Sequence, residues 1–177
     1  FRSRQDVELL EGTRIMATVN LSEERAIVLP EIQNHRVVIL VSRWNHDITE
    51  NLYNGALETL LRLGFQSSQI EKEYVPGSFE LPLGAKWATE KPGVTGVIAL
   101  GCIIRGETPH FEYVSMATAQ GIQDIGLNSG KPVVFGVLTD DHIEQSRARS
   151  GGVLGNKGVD CAQALVEMLA LQAKLKS

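Results

Sequence analysis

The chain has little that would tie it to a metal, a membrane or a nucleic acid. Its 177 residues include two cysteines, Cys102 and Cys161, far apart in apolar segments, with no C-x-x-C and no partner at metal-ligand spacing. A disulfide framework or zinc knuckle is therefore not expected, and buried, reduced thiols in a cytosol-like compartment are. No apolar run approaches the roughly twenty residues a membrane span requires, and the N-terminus lacks the apolar region of a secretory signal, so a soluble protein is expected. The net charge of −4 is spread over mixed signs without a basic stripe, and RNP-type, zinc-finger and helix-turn-helix patterns are missing, which argues against nucleic acid as a partner. No repeat and no second domain is visible, and the length suits one α/β domain that buries roughly two-thirds of the surface of its unfolded chain.

What the sequence does contain is alternation. From residue 36 onward short β-rich runs alternate with amphipathic helical stretches, the signature of a parallel sheet covered by helices on both faces. Residues 1–35 form an N-terminal segment, of which 1–15, ahead of Met16, read as a tag, a fusion remnant or the end of a transit peptide. Residues 36–177 form the domain. Val37 to Val41 reads as the first strand, followed by a helix with Ile48, Leu52, Ala56 and Leu60 on one face, a stop at Gly64, and a capping box of Asp47 with Glu50. Ile70 to Val75 is polar enough for an edge strand, and Ser78 is the expected N-cap of a second helix with Pro82 in its first turn. Val97 to Ile104 is apolar throughout, as a central strand should be. A third helix carries Phe111, Val114, Thr118, Ile122 and Ile125, and Gly126 and Gly130 bracket its end. Val133 to Leu138 is the fourth strand, with a short helix over His142 to Ala148, an N-cap at Thr139 or Asp140, a glycine-rich turn and a final helix burying Ala162, Leu165, Val166 and Leu169. The expected fold is a three-layer αβα sandwich on a four-stranded parallel sheet.

Open parallel sheets bind ligands outside the carboxyl ends of their strands, where strand order reverses. The segments after the four strands are Ser42 to Asn45, Pro76 to Glu80, Arg105 to His110 and Thr139 to His142, and they are expected to converge on one edge. The third is the most telling, because G-C-I-I-R-G-E-T-P-H-F-E-Y over residues 101–113 runs from an apolar strand through a basic, glycine-containing turn into a helix. Free amides at a helix start, with Arg105 and Thr108 beside them, suit a phosphate, and His110 is placed to move protons next to it. Duller readings compete at each position: Trp44 as a packing aromatic, Glu80 as a partner of its own helix dipole, His110 as a solvated loop histidine, and Arg149 on a helix face where Glu144 and Arg147 can pair. A metal on Asp140, Asp141 and His142 is disfavoured, since adjacent residues rarely converge, and G-N-K-G at 155–158 lacks the spacing of a P-loop and reads as the turn that starts the last helix.

Taken together, S-R-W-N, V-P-G-S-F-E-L-P, A-L-G-C-I-I-R-G-E-T-P-H-F-E-Y, F-G-V-L-T, E-Q-S-R-A-R-S-G and G-N-K-G, in this order from about residue 36 to residue 170, closely resemble the lumazine synthase family. The resemblance implies a flavodoxin-like fold and the condensation of 5-amino-6-(D-ribitylamino)uracil with 3,4-dihydroxy-2-butanone 4-phosphate to 6,7-dimethyl-8-ribityllumazine, with loss of phosphate and water and without metal or redox cofactor. It implies that Trp44 stacks on the pyrimidine, with Asn45, Ser78, Phe79, Glu80, Cys102, Ile103 and Ile104 in the same pocket. Glu107, Thr108 and Arg149 would bind phosphate, and His110 would transfer protons. Phe135 matches a pocket aromatic that comes from the neighbouring subunit.

That match implies homopentamers, which some members assemble twelvefold into an icosahedral shell, with the N-terminal segment adding a strand to a neighbour and riboflavin synthase as a candidate partner. The short link from Arg149 to Gly158 favours the shell, whereas Pro30 argues against it. The implied location is cytoplasmic, or the plastid stroma if residues 1–15 follow a removed transit peptide. Two positions depart from the family: Met116 and Ala117 replace more polar residues near His110, and Glu107 stands where many members have a small residue. A carboxylate about 6 Å from a phosphate would cost on the order of 3 kcal/mol per unit charge at an effective dielectric near 20, so the Glu107 side chain is expected to turn outward. The rivals are a flavodoxin-type flavin module, disfavoured by the bulky Trp44 in its first loop, and an assembly scaffold that retains enzyme motifs.

Overall fold

A computed structural model describes residues 27–176 of the chain. The readings of residues 1–15, and of a strand donated by the N-terminal segment, fall largely outside them. Strand β1 (Arg36–Ser42) is followed by α1 (His46–Arg62), β2 (Ile70–Val75), α2 (Leu81–Glu90), β3 (Val94–Ile104), α3 (His110–Ser129), β4 (Val133–Asp140) and α4 (Ile143–Arg149). A small antiparallel pair, β5 (Ser150–Gly152) and β6 (Gly155–Asn156), leads into α5 (Lys157–Lys176). The main sheet is parallel throughout, in the order β2-β1-β3-β4.

Strand periodicity sorts the core into two layers. Val37, Ile39 and Val41 of β1, with Ile98, Leu100 and Cys102 of β3, face α1 and α5. Val38 and Leu40, with Val97 and Ala99, face α2 and α3. Since alternate side chains point to opposite faces, β1 and β3 need apolar residues at every position, which is why their sequences read as unbroken apolar runs. The α1 stripe of Ile48, Leu52, Ala56 and Leu60 is buried as its four-residue spacing requires, and each large side chain so buried stabilises by about 1.5–3 kcal/mol. Gly64 ends that helix at φ 103°, a backbone conformation costly for other residues. Both cysteines are free and buried, and burial pushes the Cys161 thiol up to about 12.

Three local expectations are corrected. Asp47 lies inside α1, and the helix begins after Asn45, whose side chain makes no cap. Glu50 does not serve the helix start: it takes hydrogen bonds from Lys72 (2.7 and 2.9 Å) and Tyr74 (2.8 Å) on the edge strand. Burial alone would raise the Glu50 pKa, but these donors outweigh it and hold the carboxyl below its usual range. Thr139 and Asp140 belong to β4, which runs two residues past the predicted end, and the N-cap of α4 is His142. The Gln145 side chain there accepts from the Asp141 and His142 amides. Ser78 starts a 3-10 turn (Ser78–Glu80) instead of capping α2.

Candidate functional site

The order β2-β1-β3-β4 reverses direction between β1 and β3, and a cleft of about 780 Å³ opens at their carboxyl ends. That volume lies within the range of small-molecule sites, about 300–1,000 Å³. One wall is Trp44 and Asn45. The Trp44 ring edges Gly77, where a Cβ would stand 3.4 Å from its Cδ1, and the ring remains 72% exposed, so the packing reading of this residue fails. Asn45 sits at φ 55° and donates from Nδ2 to the carbonyl of Cys102 (3.1 Å), joining the ends of β1 and β3. Asparagine tolerates this left-handed conformation better than most residues.

The turn after β2 supplies Gly77, Ser78, Phe79 and Glu80 to the cleft. Phe79 is exposed, and the Glu80 carboxylate accepts from the Gly77 amide (2.9 Å), which fixes the turn. Ser78 is buried with its Oγ unpartnered against Gly101, where any Cβ would fall 2.5 Å away. Thr118 Oγ1 donates to the Ser78 carbonyl (3.2 Å) and ties the turn to α3. An unpartnered buried hydroxyl costs about 1–3 kcal/mol, a local cost consistent with a site shaped for more than stability.

Cys102, Ile103 and Ile104 form the floor, and Gly106, Thr108 and His110 the far end. His110 is the first residue of α3, and although the Glu112 amide already bonds the Pro109 carbonyl (3.1 Å), the helix start with its His110 and Phe111 amides favours an anion. Arg105 does not supply charge there as expected. Its Nε meets Asp141 Oδ1 at 2.5 Å, it also pairs with Glu112, and its guanidinium lies 4.2 Å over the Phe111 ring. It fastens the turn to its surroundings. The hydrogen bond to Asp141, with that to Glu112, raises its pKa further.

Glu107 is exposed and does not line the cleft. Phe135 and Arg149 do not line it either: Phe135 is on the edge strand β4, and Arg149 ends α4, with Nε 3.9 Å from Asp140 Oδ1. Of the four segments expected to converge, the one after β4 meets the third, through Asp140 and Asp141 on Arg105, but supplies no residue to the cleft lining. Phe111, Tyr113 and Val114 line the cleft without having been assigned to it. Tyr113 and Val114 follow His110 at the helical spacings of three and four that share a face, a signal masked in the sequence because Val114 also fits the apolar stripe of the same helix. Among the described residues no cluster of three or more His, Cys, Asp or Glu side chains could hold a metal, and no helix is long and apolar enough to cross a membrane.

Aromatic surface at one end, a helix start with a histidine at the other, and a switch-point location are the features of a small-molecule site in an α/β enzyme, with surfaces suited to a planar ring and an anion. The family model for 6,7-dimethyl-8-ribityllumazine synthase matches residues 34–173, and the chain belongs to that family. The 6,7-dimethyl-8-ribityllumazine synthase of Cytophaga hutchinsonii is 47% identical over 142 residues, spanning 80% of this chain and 89% of that protein. That of Phocaeicola vulgatus is 42% identical over 163 residues (91% and 97%), and that of Thermus thermophilus 47% over 136 residues (77% and 87%).

Proposed function

We propose that this cleft is where the chain condenses 5-amino-6-(D-ribitylamino)uracil with 3,4-dihydroxy-2-butanone 4-phosphate to 6,7-dimethyl-8-ribityllumazine, releasing phosphate and water. This condensation is the activity of the family, a transferase step of riboflavin biosynthesis. The observation that carries the site is the meeting, in one cleft, of Trp44, Asn45, Phe79 and Glu80 with Cys102 to Ile104, Thr108 and His110.

The pyrimidine stacks on the exposed Trp44 ring, and Phe79 and Glu80 with the backbone of Ser78 and of Cys102 to Ile104 receive its polar edge and ribityl chain. The phosphate lies at the start of α3, beside Thr108. The pyrimidine amine attacks the butanone carbonyl to give an imine, a step favoured by holding both reactants in one cleft. His110 shuttles the protons as phosphate leaves, the enol becomes a ketone and the ring closes with loss of water. Glu107 contributes its backbone amide only. Phe135 and Arg149 complete the cleft of a neighbouring subunit in a pentamer, a reading supported by their position outside the cleft of their own chain. There Arg149 binds the departing phosphate.

Mixing the protein with both substrates and following lumazine absorbance with phosphate release tests this. Wild type turns over, and His110→Ala loses about 10²–10⁴-fold in kcat with nearly unchanged KM, the range for general acid–base catalysis. A His110→Ala variant with normal kcat and weakened pyrimidine affinity would refute the role of His110. An assembled wild type without turnover would refute the whole reading.

A further inference from the structure

Behind the cleft floor lies a polar chain that the reaction as described does not use. Ser146, on α4, is fully buried, and its hydroxyl donates to Asp140 Oδ2 at 2.5 Å. A serine has one proton to give, so its remaining capacity is as an acceptor, and the buried Cys102 thiol fills it at 3.4 Å. The order is thus fixed from thiol to hydroxyl to carboxylate, and burial, which pushes the Cys102 thiol up, keeps that donor protonated. The chain ends on a charge. Asp140 is the last residue of β4, its side chain is 14% exposed, and its other oxygen faces Arg149 Nε at 3.9 Å.

We propose that Ser146 and Asp140 are positioning residues for Arg149: the buried hydroxyl locks one carboxylate oxygen so that the other orients the guanidinium toward the substrate phosphate. This inference rests on the reading above that Arg149 binds that phosphate. Two features carry it. A carboxylate turns easily about its terminal torsion, and a charge-assisted hydrogen bond to a hydroxyl that cannot move, because its helix packs it at zero exposure, removes that freedom. The guanidinium faces Asp140 through Nε in an ion pair at 3.9 Å, longer than a hydrogen bond, which leaves the four N–H bonds of the terminal amino groups as a fork for phosphate oxygens. A long, half-exposed arginine loses rotamer freedom when it binds an anion, and an anchor at its stem spends that entropy beforehand.

Ser146 is the discriminating position. The i, i+3 geometry places it one helical turn before Arg149, and it does not itself line the cleft, meeting the floor only through the buried Cys102 thiol. A nearby carboxylate could instead compete with phosphate for the guanidinium, and that alternative predicts an effect of opposite sign.

The test compares wild type, Ser146→Ala, Asp140→Asn, Arg149→Ala and the Ser146→Ala/Arg149→Ala double variant. Each is read by KM for the butanone phosphate, KM for the pyrimidine, inhibition by inorganic phosphate, and Tm. Arg149→Ala is expected to weaken both phosphate readouts about tenfold or more, as loss of a charged hydrogen-bonding group does. Ser146→Ala and Asp140→Asn are expected to weaken them about three- to tenfold while leaving the pyrimidine KM within about twofold. In the Arg149→Ala background, Ser146→Ala is expected to add nothing. Unchanged or tightened phosphate readouts in both Ser146→Ala and Asp140→Asn, beside a weakened Arg149→Ala, overturn the positioning role and leave the arginine's role standing. Equal loss for both substrates with a lowered Tm reduces Ser146 to packing and also overturns it. An Arg149→Ala variant that binds phosphate normally overturns the arginine reading and this proposal with it.

Discussion

Replacing Gly55 with alanine probes how the first and last helices are fastened together. Asn156 stands between them, donating from Nδ2 to the Asn51 carbonyl (2.8 Å) and accepting from the Gly158 amide at Oδ1 (2.8 Å). A Cβ at Gly55 would meet three side-chain atoms of Asn156 at 2.6–2.7 Å, and one at Gly158 would stand 1.9 Å from the Leu52 carbonyl oxygen. Alanine within a helix gains up to about 1 kcal/mol over glycine. Against that, displacing Asn156 loses two hydrogen bonds of about 1 kcal/mol each, or else overpacks the contact by about 1–3 kcal/mol. Gly55→Ala should therefore destabilise by about 1–2 kcal/mol, a Tm loss of about 2–8 °C for a domain of this size. In an Asn156→Ala background the obstacle is gone, and the same substitution should raise Tm by about 2–4 °C. Gly158→Ala meets backbone, which cannot rotate away, and should cost about 3 kcal/mol or more in both backgrounds. Thermal melts of the five variants decide the matter. Equal loss from Gly55→Ala with and without Asn156 would refute the reasoning.

Trp44→Ala should barely change Tm, because the ring is 72% exposed, yet weaken binding of the pyrimidine substrate by about 1–3 kcal/mol, the scale of base–aromatic stacking. Calorimetric titration checks it, and a large Tm loss with normal affinity would return Trp44 to the role of packing residue. His35, hydrogen-bonded to Thr95 at 3.1 Å, has its pKa lowered from 6.5 by burial despite a backbone hydrogen bond at Pro30 and the nearby Glu31. Its neutral form is the one the fold prefers, so its contribution is complete above pH 6.5 and is lost as pH falls below that value toward the folded pKa. The pH slope of Tm in this window should flatten in His35→Gln, and an unchanged slope would place the titration elsewhere.

The sheet and its covering helices could be read from the chain because burial writes a period: unbroken apolar residues in β1 and β3, a four-residue stripe in α1. Two of the misread features depend on partners far along the chain. Glu50 resembles a cap until Lys72 and Tyr74, 22 and 24 residues on, claim its carboxylate. Arg105 resembles a free cation until Asp141, 36 residues on, meets it. In the candidate site, residues on the loops after β1, β2 and β3 were predictable from the switch-point rule. Phe135 and Arg149 separate from them because β4 is one strand beyond the reversal, and only the sheet order reveals that.

The bond from Asn45 to the Cys102 carbonyl has a mechanical consequence. It braces one cleft wall against the floor, whose strands already share a ladder, so the wall does not swing out alone when a ring slides in against Trp44. Such a receptor is preorganised: its shape is set during folding, and the ligand's binding free energy goes into recognition and chemistry with little left to spend on rearranging the protein.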